Sequence, residues 1–211
     1  MGKGQYVRVL LFQSTALSLS LIVLSACSDT LATVQPDIAA RKLAYASEPF
    51  PVRLVDRSKF DKRLWPAEVA SPIDAPVGTI LVDTEQKLLY LITDHGLARR
   101  YGIAVGAAGH AWSGEAVIGR KAVWPIWYPT DEMRSSTSDL PRQIEAGEQN
   151  PLGARALYLY SSGRDTLYRI HGTSEPWTIG TAASSGCIRM LNEDVIDLYE
   201  RVEKGAKVIV R

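Results

Sequence analysis

Cysteine and histidine are both scarce in this 211-residue chain: Cys27 and Cys187 are the only thiols, and His95, His110 and His171 the only imidazoles. Zinc ligands recur at short, fixed spacings, and none is present here, so neither a metal nor any other cofactor is expected. Acidic residues are missing before Asp29. A membrane-spanning run is missing as well. Residues 9–23 are largely apolar but short, and they carry Gln13, Ser14, Thr15, Ser18 and Ser20, whereas a spanning helix needs roughly 20 mostly apolar residues. Neither sign of charge dominates, the formal net charge being +1, and nothing in that balance suggests nucleic acid. No internal repeat or low-complexity tract appears.

What is present begins with an export signal. Lys3 and Arg8 precede the apolar stretch, which ends in Leu24-Ser25-Ala26-Cys27. That exit resembles the lipobox of bacterial lipoproteins, in which the cysteine is lipidated and becomes the mature N-terminus. The resemblance implies a periplasmic protein tethered to a membrane by several acyl chains. An ordinary signal peptide that leaves Cys27 free is the other reading. Removing residues 1–26 takes away two cations and no acid, so the net charge passes from +1 to −1.

With Cys27 consumed, Cys187 is the single thiol of an exported chain and no internal disulfide can form. A free thiol in an oxidising compartment is easier to explain by chemistry than by packing. A small buried hydrophobe is the bland alternative. Gly186 and Arg189 argue against it, because they suit a turn better than a core strand. A lone cysteine with a distant histidine is a candidate nucleophile and base.

Residues 27–75 are poorly periodic and interrupted by Pro36, Pro49, Pro51, Pro66 and Pro72, which reads as an extended linker. Phe50, Leu54, Phe60, Leu64 and Trp65 nevertheless give its later part apolar surface with which to lie on the domain. From residue 76 to 211 the pattern is mainly β. Short runs rich in β-branched and aromatic residues fall at 79–82, 87–93, 99–105, 156–160, 167–170 and 207–210. One helix follows the cysteine loop, with Asn192 as its cap, Glu193 and Asp194 at its positive end, and Gly205 as its stop. Val195, Leu198, Tyr199 and Val202 share one of its faces.

Ile170-His171-Gly172-Thr173, Pro176-Trp177-Thr178-Ile179-Gly180 and Ser184-Ser185-Gly186-Cys187-Ile188-Arg189-Met190 together resemble the signature of the L,D-transpeptidase catalytic domain family. Residues 78–83, 150–158 and 192–195 add further matches, so the likeness covers 76–211. It implies a mixed β-sheet or sandwich core with a few short helices. One departure is Ser185, where many members carry histidine, which puts in doubt any substrate contact made there by a second imidazole.

The resemblance implies the following chemistry. Cys187 attacks the amide between meso-diaminopimelate and D-alanine in a peptidoglycan tetrapeptide stem, releasing D-alanine and leaving a thioester. A diaminopimelate amine of a second stem resolves it into a 3-3 cross-link. Water, a free D-amino acid or an envelope protein are alternative acceptors or substrates, and acylation by carbapenems is expected. His171 is the base, and the N–H groups of Gly186 and Cys187 are the expected oxyanion donors. Arg189 is expected to favour thiolate and to bind a substrate carboxylate; a surface arginine capping a turn is the alternative. Ser184, Ser185 and Gly172 belong to the same site. Trp177 and Tyr158 either line the substrate groove or merely pack. Trp124, Trp127 and Tyr128 suggest a lid or wall. Glu175 reads as a solvated charge, and His95 and His110 as surface residues. A cysteine hydrolase that trims stems and a non-enzymatic wall-binding lipoprotein are the competing functions.

Overall fold

A run of apolar residues is buried on both faces only when something covers the outside of a sheet, and that is what the first strands require. The computed structural model describes residues 1–2, 38–107, 112–184 and 186–211. The expected signal from residue 3 onward, the expected lipidation site Cys27, the first part of the expected linker, His110 and Ser185 lie outside the described residues.

The elements in chain order are α1 (Ile38–Ala44), β1 (Ala67–Ala70), β2 (Ile80–Asp83), β3 (Leu88–Asp94), β4 (Leu97–Gly106), β5 (Gly114–Val123), α2 (Asp131–Ser136), β6 (Arg155–Ser161), β7 (Arg164–His171), β8 (Ala182–Ser184), β9 (Ile188–Met190), α3 (Asn192–Arg201) and β10 (Lys207–Val210). Strands follow the order β1-β4-β3-β2-β10-β5-β6-β7-β9, and β9 also pairs with β4, so the sheet curls back on itself. It is mixed: β10 runs parallel to β2 and β9 parallel to β7, while the other neighbours on this path are antiparallel. The mainly β expectation holds.

Ile80, Val82, Leu89, Leu91, Tyr101 and Ile103 point to the inner core, where Val195 and Leu198 of α3 and Val202 just after it meet them. Leu81, Leu88, Tyr90 and Ile92, the alternate residues, face a second apolar layer that includes Leu64, Val69 and Ile73. The expected extended linker is therefore corrected over its described part: residues 38–75 form an outer strap on the domain. Proline removed the periodicity without removing the anchors. Leu64 sits in a notch bordered by Gly102 and Gly180, where a Cβ on Gly102 would lie 2.5 Å from the Leu64 carbonyl oxygen. Val55 and Phe60 pack on Ala104, Ile179 and Leu191. Phe50 and Trp124 have ring centroids 5.2 Å apart.

Charges fasten the strap as firmly. Arg57, buried, is doubly bonded to Asp194, with one N–H to oxygen distance of 3.1 Å, and lies 3.6 Å from Glu193. Arg41 donates to Glu193 as well. Glu48 accepts from Trp124 Nε1 at 2.7 Å and from Arg155 at 2.9 Å. The first-turn acids of α3 thus hold the strap in addition to suiting the helix terminus.

Candidate active site

Register across three strands builds the floor of a cleft. Side chains two apart on a strand share a face. Arg120, Tyr158 and Arg169 are direct cross-strand partners on β5, β6 and β7. One step along that face, Ala122 pairs with Ala156, Ala156 with His171, and His171 with Arg189 of β9. Small alanines in the second row leave room beside the imidazole. The resulting cleft, about 780 Å³ in volume, is lined by His171, Cys187 and Arg189 together with Trp127 and Tyr128 of the opposite wall. Trp124, expected in that wall, is buried instead in a cluster with Ala154 and Ile196 and does not line the cleft.

Cys187 is half-buried in the loop that leads into β9. Since Ile188 pairs with Ile170, the cysteine stands level with Arg169. Gly186 has φ +124°, a conformation that L side chains rarely adopt, which explains glycine directly before the thiol. Ser184 Oγ donates to the Cys187 carbonyl at 2.6 Å and accepts from the Gly186 N–H at 3.1 Å. Two corrections follow. Gly186 N–H, expected to await an oxyanion, is already engaged, and Ser184 shapes the nucleophile loop from within. The thiol contacts the Leu167 carbonyl at 3.8 Å, and Leu167 itself has φ +64° at the cleft edge.

His171 ends β7 and is buried. Its Nδ1 meets the Gly172 carbonyl at 2.6 Å, so that nitrogen carries the proton and Nε2 keeps its lone pair. Burial pushes the imidazole pKa down to about 3, against the pull of the Gly172 carbonyl. Burial also pushes the Cys187 thiol up, opposed by Arg169 first and Arg189 after it. At neutral pH the pair rests as thiol and neutral imidazole, not as an ion pair.

Asn192 was expected to cap α3. It does not; Leu191 occupies that position, and no side chain caps it. The Asn192 amide oxygen instead accepts from Ala154 N at 3.0 Å and Thr173 N at 3.1 Å, while its amide nitrogen donates to the Thr173 carbonyl at 3.0 Å. It clamps the turn that follows His171. Gly172 is required there because a Cβ would lie 2.1 Å from that same oxygen.

Arg189 donates to Glu175 at 2.7 Å, so the acid expected to be merely solvated is the partner of the substrate-binding candidate. Trp177 is 65% exposed on the 3-10 turn Pro176–Thr178 and is not among the residues lining the cleft, which removes it from the groove. Tyr158 does line it, under two guanidiniums. The signal for Arg169 lies in the sequence, two residues before His171 on the same strand face. His95 is exposed in its hairpin turn.

A family model described as YkuD, L,D-transpeptidase catalytic domain, matches residues 78–210. The probable L,D-transpeptidase YbiS of Escherichia coli K12 is 33% identical over 151 residues, 68% of this chain and 47% of that protein. This chain thus spans about half the length of the curated relatives it matches first. A solved structure from Brucella melitensis, described as a probable carnitine operon oxidoreductase, is 44% identical, covering 74% of this chain and 99% of that one at a TM-score of 0.49. The Ldtfm–avibactam carbamoyl enzyme is 20% identical, covering 65% of this chain and 49% of that one at a TM-score of 0.50, a likeness of fold.

Proposed function

The chain belongs to the L,D-transpeptidase catalytic domain family, and from that membership we propose that it transfers acyl groups between peptidoglycan stems through a cysteinyl thioester, forming 3-3 cross-links. The observation that carries this reading is the shared cleft: Cys187 and His171 line one cavity, and the Gly172 carbonyl fixes the imidazole through Nδ1.

The donor carbonyl, between diaminopimelate and D-alanine, sits at the sulfur. His171 Nε2 takes the thiol proton as the S–C bond forms, and the imidazolium then gives that proton to the departing amine as the C–N bond breaks. Because both groups rest neutral, proton transfer accompanies attack instead of preceding it. Negative charge on the tetrahedral oxygen is met by the Cys187 N–H. The acceptor amine of a second stem attacks the thioester, His171 takes its proton, and the restored sulfur recovers it. Arg189 exchanges Glu175 for a diaminopimelate carboxylate, a trade suited to a planar, bidentate guanidinium.

Purified protein incubated with tetrapeptide-bearing muropeptides should release D-alanine, gain the acyl mass on Cys187 and yield dimers. Tripeptides without dimers would assign hydrolysis instead. No thioester by intact mass, with normal muropeptide binding by Cys187→Ala, would assign a binding role. Attachment of an envelope protein would appear as a muropeptide adduct on that protein. We also propose lipidation of Cys27, which places the enzyme in the periplasm on a membrane; fatty-acid labelling that persists in Cys27→Ala would refute it.

A further inference from the structure

The cleft holds cations that the chemistry above leaves unused. Arg120 and Arg169 place their guanidinium carbons 3.5 Å and 4.9 Å from the Tyr158 ring centroid. Stacking stabilises each cation on the ring face, yet two like charges on one buried tyrosine repel each other. Their surroundings do little to neutralise them. Among the described residues Arg120 has no carboxylate within 4.0 Å, and Arg169 reaches only Asp165, at 4.0 Å, while donating to the Leu167 carbonyl. The arrangement leaves both cations with capacity for an anion from outside.

Register sets that row beside the sulfur. Cys187 is level with Arg169, and Arg120 lies across Tyr158 on the same row. With the scissile carbonyl on the sulfur, which stands level with Arg169, a leaving residue turned along that row needs only one residue length, about 3.5 Å, of reach. Its carboxylate then reaches the Arg169 end of the row. Arg189 stands on the other side of the imidazole and is engaged by Glu175.

We propose that Arg169, with Arg120 across Tyr158 from it, binds the free carboxylate of the residue that leaves. This rests on the transpeptidase reading. The test compares two donors, a disaccharide tetrapeptide with its free terminal carboxylate and the same molecule with a terminal amide, by the initial rate of Cys187 acylation. The wild type should prefer the acid by about 10- to 100-fold in kcat/KM, the range of a charge-assisted hydrogen bond. In Arg120→Gln and Arg169→Gln the ratio of the two donors should collapse toward unity, and Arg120→Lys should keep part of it. Thermal melts verify that each variant is folded. Equal use of both donors by wild type, or a parallel fall for both donors in the variants, overturns the proposal while leaving the transpeptidase reading intact. Failure of wild type to be acylated by either donor overturns both.

Discussion

The strap and the cleft handle arginine in opposite ways. In the strap contacts, Arg41, Arg57 and Arg155 are all close to fully buried and each ends on a carboxylate, from Glu193, Asp194 and Glu48 respectively. In the cleft, Arg120 and Arg169 flank the Tyr158 ring and line the open cleft, Arg120 with no carboxylate within 4.0 Å among the described residues and Arg169 with only Asp165, at 4.0 Å. A buried cation needs a partner because leaving it alone costs far more than pairing gains. A cation that stays unpaired at a solvent-filled cleft keeps its binding capacity for a ligand. The same side chain therefore fastens structure in one region and serves recognition in the other.

The largest expected effect breaks the first half of that contrast. Arg57→Ala leaves Asp194 buried without its main partner and should cost about 3–5 kcal/mol in urea unfolding. Next comes the buried histidine. His171 is neutral in the fold, with its pKa pushed down to about 3, while the unfolded chain titrates near 6.5. The unfolded state thus binds the extra proton in that window. Stability is fully present above about pH 6.5 and should decline by about 1.4 kcal/mol per pH unit as pH falls toward 3. His171→Asn should flatten that slope in melts taken across the window.

Smaller is Gly102→Ala, which drives a Cβ to 2.7 Å from Leu64 Cβ and closer still to its carbonyl oxygen. It should cost about 1–3 kcal/mol by pushing the strap off its notch, and Leu64→Ala should not restore it, since the backbone is the obstacle. The smallest effect on stability sharpens the contrast most. Arg169→Gln should change unfolding by no more than about 0.5 kcal/mol. It should nevertheless raise the pH midpoint of Cys187 alkylation by iodoacetamide, and by more than Arg189→Gln does, because Arg169 opposes the burial of the thiol more strongly.

Much of this was legible from residue order. The strand 207–210 coincides with β10, and the other expected runs fall on β2, β3, β4, β6 and β7 because their apolar residues make a local signal. β5 was silent: Gly119, Arg120 and Lys121 interrupt its apolar pattern, and its pairing with β6 and β10 supplies what propensity does not. β8 and β9, three residues each, exist only through partners distant in sequence. Cys187, His171 and Arg189 were named because their motif is contiguous. Arg120, Tyr158 and Arg169 become one row only when three strands lie side by side, so that grouping could not be seen in the linear chain. Asn192 was misjudged for a related reason, since an amide that satisfies two distant N–H groups looks, in sequence, like a helix cap.

β10 comes late in sequence yet sits between β2 and β5, parallel to the first and antiparallel to the second. During synthesis, amino end first, β9 can tie β4 to β7, but the gap between β2 and β5 stays open until residues 207–210 emerge. Such long-range closure slows folding. It also means that β5, which carries Arg120 on one side of the cleft floor, gains its second neighbour only when that last rib is laid down.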